Sequence, residues 1–118
     1  MICQTTDGGF RIPDRLDVND FFSYTKTDEE VSVICKQQAV KHPDIINLAL
    51  NRKIIKVCGT FNLSATGIIA GISGVLAKNG IPIFTISTYN TDYILIEEKD
   101  LGLAVNELKR EGYNINFK

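Results

Sequence analysis

The chain predicts an α+β protein made of two ferredoxin-like βαββαβ folds in tandem, the first degenerate, with antiparallel sheets whose helices lie on one face. Three observations lead there. From residue 53 onward, short β-branched runs alternate with two amphipathic helical stripes in the order β-α-β-β-α-β, the split βαβ arrangement. Within that order, IPIFTISTYNTDYILIE at 81–97 reads as strand, polar turn and strand. A second strand–turn–strand at 21–35 lies about 60 residues upstream and suggests an imperfect internal duplication. The expected division is 1–52 as the degenerate half and 53–118 as a complete second domain.

The elements follow in order. Ile2-Cys3 reads as the end of a first strand, and 13–20 as a helical turn. Residues 21–26 and 31–35 are strands joined by Thr27-Asp28-Glu29-Glu30, and 37–49 holds a turn or short helix and then a strand. Lys53 to Cys58 is β-branched and alternates imperfectly, a strand ended by Gly59. After a short loop at 61–65, a helix is expected from Thr66 to Lys78, because Ile68, Ile72, Val75 and Leu76 fall on one helical face. Asn79-Gly80 supplies its left-handed stop. Strands at 82–87 and 93–97 come next. Asp100 suits the N-cap of a second helix with Leu101, Ala104, Val105 and Leu108 inward and Glu107, Lys109 and Arg110 in water. Gly112 closes that helix, and the alternation of Tyr113 to Phe117 predicts a last strand. Gly71 and Gly74 each cost about 0.5–1 kcal/mol in a helix interior, which either a close contact or relief of crowding would justify.

Composition excludes several classes. A chain of 118 residues makes one domain, or two very small ones sharing a core. Thirteen basic residues balance fourteen acidic ones without a basic patch, so a nucleic-acid partner has little electrostatic support. No run approaches the ~18 apolar residues of a membrane span, and MICQTTDGG resembles no secretory signal. Cys3, Cys35 and Cys58 are odd in number and far apart, which reads as buried thiols in a reducing cytoplasm. With a single histidine, His42, beside Pro43, neither a metal nor any other cofactor is expected.

The chemistry rests on two polar clusters. Asn62-Leu63-Ser64-Ala65-Thr66-Gly67 opens the long helix, where free backbone N–H groups favour an anion such as a carboxylate. The plain alternative is a helix cap. Ser87, Thr88, Tyr89, Asn90, Thr91 and Asp92 form the hairpin tip, where the Asp92 carboxylate can accept from an ammonium. Its plain alternative is a turn that satisfies its own backbone. A zwitterion needs both signs of partner, and these clusters offer both. The chain has no GxSxG elbow, P-loop or GxGxxG, so no enzyme activity is expected.

The stretch GTFNLSATGIIAGISGVLAKNGIPIFTISTYNTDYILIEEKDL at 59–101 resembles ACT domains of the CASTOR type and their small bacterial relatives. FFSYTKT at 21–27 and EVSVIC at 30–35 resemble the preceding half, so the resemblance covers most of the chain. It implies tandem ACT folds that bind amino acids at ACT–ACT interfaces without catalysis. Carried over, it marks Asn62, Leu63, Ser64, Ala65, Thr66 and Gly67 at the helix start, and Thr88, Tyr89, Asn90, Thr91 and Asp92 in the hairpin. Asp92 would face the ligand amine, and Ile83 would offer backbone groups across an interface. Ala65 stands where the arginine-sensing module has an acid, and Asn62 and Asn90 where the bacterial pattern often has Asp. A neutral or small amino acid is therefore expected over arginine. Homodimerisation is expected because a lone module leaves sheet edges and a glycine-lined helix unpaired. The competing readings are a protein-interaction module with no small ligand and, further off, a small enzyme.

Overall fold

The computed structural model describes residues 1–5, 21–36, 45–58 and 67–117. They form two compact units, 1–51 and 52–118. The first unit contains β1 (Ile2–Thr5), β2 (Ser23–Lys26), β3 (Val31–Ile34) and β4 (Ile45–Ala49). All neighbours are antiparallel in the order β2-β3-β1-β4. Alternation sets its two faces. Cys3 and Val33 pair across the sheet centre and join Met1, Val31 and Cys35 in a buried cluster. On the opposite face Gln4 pairs with Ser32 and Asn47, and Asn47 Nδ2 donates to Gln4 Oε1 at 2.7 Å. The expected hairpin at 21–35 is present. The turns expected at 13–20 and 37–44 lie outside the described residues.

The second unit runs β5 (Arg52–Lys56), α1 (Ile68–Lys78), β6 (Phe84–Ser87), β7 (Asp92–Glu97), a 3-10 turn (Glu98–Asp100) and α2 (Leu101–Arg110). Its strands order β5-β7-β6, again antiparallel. Ile94 and Ile96 of β7 bury against Ile72 and Leu76 of α1 and Ala104 and Leu108 of α2, so both helices cover one sheet face. Burying each aliphatic side chain of this kind contributes about 1.5–3 kcal/mol. Both helices stop in the same way. Gly80 has φ 69° and Gly112 has φ 95°, a conformation that costs glycine nothing. Ile81 N donates to Leu76 O and Gly80 N to Ala77 O, the double bond of a left-handed helix stop. Tyr113 N to Leu108 O and Gly112 N to Lys109 O repeat it on α2.

Three expectations need correction. Residues 113–117 form no strand, so the second unit shows three strands among the described residues and the first shows four. Alternation made the segment suitable for a sheet, but Asn114 and Asn116 favour strands poorly, and pairing decides. Ile115 still packs on the core, while Tyr113 and Phe117 stay exposed. Asp100 does not cap α2 with its side chain. The 3-10 turn runs straight into the helix, leaving Asp100 at φ −96°, ψ −4° rather than in the extended conformation of a capping residue. Glu107, expected in water, is half-buried and faces Arg110 at 3.7 Å. The two helix glycines also differ. A Cβ on Gly71 would lie 2.8 Å from the Tyr113 hydroxyl, whereas one on Gly74 would meet open space.

Candidate functional site

The β6–β7 hairpin is built by register and by threonine. Ser87 and Asp92 are its closing pair, so 88–91 form the loop. Thr88 N donates to Thr91 O at 2.8 Å. The Thr88 hydroxyl also donates to Thr91 O, at 3.1 Å, and accepts from Thr91 N at 3.3 Å. A threonine hydroxyl that replaces backbone partners in this way fixes a turn without glycine. Thr91 then ties the loop to β5. Its side chain, only 8% exposed, donates to the Val57 carbonyl. Val57 N donates in return to the Asp92 carbonyl at 3.0 Å. These bonds continue the β5–β7 ladder past Lys56 and hold the tip against the sheet.

The candidate functional side chain of this tip is Asp92. The Ser87 hydroxyl donates to Asp92 Oδ1 at 2.5 Å. No described residue donates to Oδ2. Tyr89, 80% exposed, and Asn90 project at the apex. Glu97 and Glu98 do not pair with Asp92. They lie at the far end of β7, roughly 17 Å along the strand, and are engaged by Arg52 at 3.5 Å, Lys99 at 3.3 Å and Lys53 at 3.9 Å.

The other expected residues divide. Gly67 precedes α1 with φ 79°, and its carbonyl accepts from Gly71 N at 3.0 Å. Among the described residues no side chain caps this helix and its first turn carries no acid, so its first N–H groups have no described side-chain partner and no intrahelical one. Asn62, Leu63, Ser64, Ala65 and Thr66 lie outside the described residues. Ile83 directs its side chain into the core around Ile94 and Leu76. The structure therefore brings Thr88, Thr91 and Asp92 together, adds Ser87 and the Val57 carbonyl, and leaves Tyr89 and Asn90 unattached. Ser87 was within reach of the sequence. A four-residue loop starting at Thr88 places it directly opposite Asp92.

Among the described residues no group of three or more His, Cys, Asp or Glu could hold a metal ion, and no helix is long and apolar enough to cross a membrane. Burial pushes the thiols of Cys3 and Cys35 above their ordinary value, which keeps them protonated and inert. Cys58 is exposed.

Comparison with known proteins bears on this geometry. The ACT domain family profile matches residues 50–110, and that of an N-terminal domain matches 2–43. The chain is 26% identical over 104 residues to the rat cytosolic arginine sensor for mTORC1 subunit 1, covering 77% of this chain and 30% of the sensor. It is 31% identical over 104 residues to human CASTOR3P, covering 77% of this chain and 63% of that protein. The chain thus spans less than two thirds of the curated relatives it matches. Among solved structures, protein Atu0741 from Agobacterium tumefaciens superposes with a TM-score of 0.83 at 28% identity, covering 99% of this chain and 85% of that one. Protein VC0802 from Vibrio cholerae, at 20% identity and TM-score 0.67, covers 95% of this chain and 84% of its own, and shares the fold.

Proposed function

Because the chain belongs to the ACT-domain family, in its CASTOR type, we propose that it is a non-catalytic regulatory protein that binds a small amino acid at an ACT–ACT interface. The observation that carries this is the hairpin carboxylate. Asp92 stands at a fixed β-strand end with one oxygen open, where a ligand ammonium gains a charge-assisted hydrogen bond. The start of α1, which no described side chain caps, supplies N–H groups suited to the ligand carboxylate. Asn62, Leu63, Ser64, Ala65, Thr66 and Gly67 form the anion side, and Thr88, Tyr89, Asn90, Thr91 and Asp92 the cation side, with Ile83 contributing backbone across the interface. The rat relative is named for arginine. Here Ala65 offers no second carboxylate, which favours a neutral side chain. The working assembly is a cytoplasmic homodimer with no nucleic-acid or membrane partner. Ligand binding shifts its assembly or partner contacts toward the state that grips the ligand better.

One observation favours a second reading, a protein-interaction module with no ligand: one Asp92 oxygen is already occupied within its own hairpin. A thermal-shift series with each of the twenty amino acids, with oligomer size read in the same samples, separates the two. A ligand bound only by the native state stabilises it by about 2.7 kcal/mol at a hundredfold excess over Kd, which raises the midpoint. The sensor reading expects a selective rise with a neutral amino acid, lost in Asp92→Ala. No rise with any of them, or a larger rise with arginine than with every neutral amino acid, would count against it.

A further inference from the structure

The geometry points to Ser87 as a positioning residue for amino-acid binding: its hydroxyl holds the Asp92 carboxylate in the orientation that meets the ligand ammonium. This rests on the amino-acid-binding reading above. Three observations support it. Ser87 and Asp92 are direct cross-strand partners, so their side chains leave the same face of the β6–β7 ladder. The Ser87 hydroxyl donates to Oδ1 at 2.5 Å. The remaining oxygen, Oδ2, receives no hydrogen bond from any described residue.

An aspartate on a strand end has two rotatable bonds, and its carboxylate otherwise samples several orientations in water. Fixing one oxygen removes that freedom before the ligand arrives, so less ordering is paid for on binding. The hydroxyl proton engages Oδ1 and leaves Oδ2 to accept from the ligand ammonium. The threonines of the loop cannot do the same work. Thr88 is committed to the Thr91 backbone, and the Thr91 hydroxyl to Val57. Ser87 alone among the described hydroxyls of the tip touches the carboxylate.

The test compares wild type, Ser87→Ala, Ser87→Thr, Asp92→Ala and the Ser87→Ala/Asp92→Ala double variant. Each is titrated with the twenty L-amino acids singly, with midpoints read with and without amino acid. For any amino acid that wild type binds, Ser87→Ala is expected to weaken affinity about tenfold, the scale of one hydrogen bond to a charged group. Ser87→Thr restores affinity, because threonine keeps the hydroxyl and suits a strand. Asp92→Ala, alone or combined with Ser87→Ala, loses binding. Ser87 is exposed, so the ligand-free midpoints of its two single variants stay near wild type. Wild-type affinity in Ser87→Ala, or failure of threonine to rescue, overturns the positioning role and leaves the amino-acid reading standing. Silence of wild type toward all twenty overturns both.

Discussion

The two hairpins of this chain share one turn and differ in what the turn presents. In the β2–β3 hairpin Thr27 N donates to Glu30 O at 2.9 Å, and the Thr27 hydroxyl accepts from Glu30 N at 3.1 Å. In β6–β7, Thr88 and Thr91 make the same pair of bonds at 2.8 and 3.3 Å. The closing pairs are another matter: Lys26 faces Val31 in the first, and Ser87 faces Asp92 in the second. The shared threonine therefore belongs to the fold, and the chemistry belongs to the pair beneath it. A hydroxyl-rich tip is not in itself a site. What sets the second tip apart is that its carboxylate belongs to the closing pair and is held by the serine directly across the ladder.

The largest expected break in this symmetry is at the fourth loop position. Thr91→Val removes the donor to the Val57 carbonyl inside the second unit. Urea unfolding should register about 1–3 kcal/mol of lost stability, the cost of an unsatisfied buried acceptor. Glu30→Ala, its counterpart, loses only the part-buried Gln4 contact at 3.2 Å and should cost about 1 kcal/mol or less. Equal losses would mean that the second tip is no better anchored than the first. The common threonine gives a smaller and matched effect. Thr27→Ala and Thr88→Ala should each cost about 0.5–1.5 kcal/mol by the same titration. A Thr88 penalty several times that of Thr27 would show that the two turns are not equivalent. The smallest effect is chemical. In native protein, alkylation followed by peptide mass spectrometry should mark Cys58 first, while Cys3 and Cys35 of the first unit resist until unfolding. Early labelling of Cys3 would mean that the first core opens readily.

Local signals were legible in the sequence, and distant ones were not. Asn79-Gly80 and Gly112 announced both helix stops, because a left-handed residue after an apolar stripe is set by neighbours a few positions away. The 81–97 hairpin was legible for the same reason. Its pairing with β5, and the commitment of Thr91 to Val57, depend on residues far apart in the chain. The segment 113–117 has the alternation of a strand and no ladder, since periodicity describes a surface and says nothing of a partner. Asp100 carried the right cap chemistry, but the 3-10 turn before α2 took that backbone out of the capping conformation. Of the site, the Asp92 half could be read from residue type and spacing. Ser87 needed the register, which the sequence implied only once the loop was counted.

The bond from Thr91 to Val57 also bears on the order of assembly. The turn at 88–91 closes through local contacts, on the microsecond scale of a hairpin. The Val57 carbonyl arrives only when β5 pairs with β7, joining residues 52–56 to 93–97 across the intervening helix. Contacts of such sequence separation form against a larger loop-closure entropy and come later. Until then the chain holds a formed turn whose buried threonine lacks its acceptor. Docking of β5 is thus what converts a local ribbon into a platform with Asp92 on a fixed strand end.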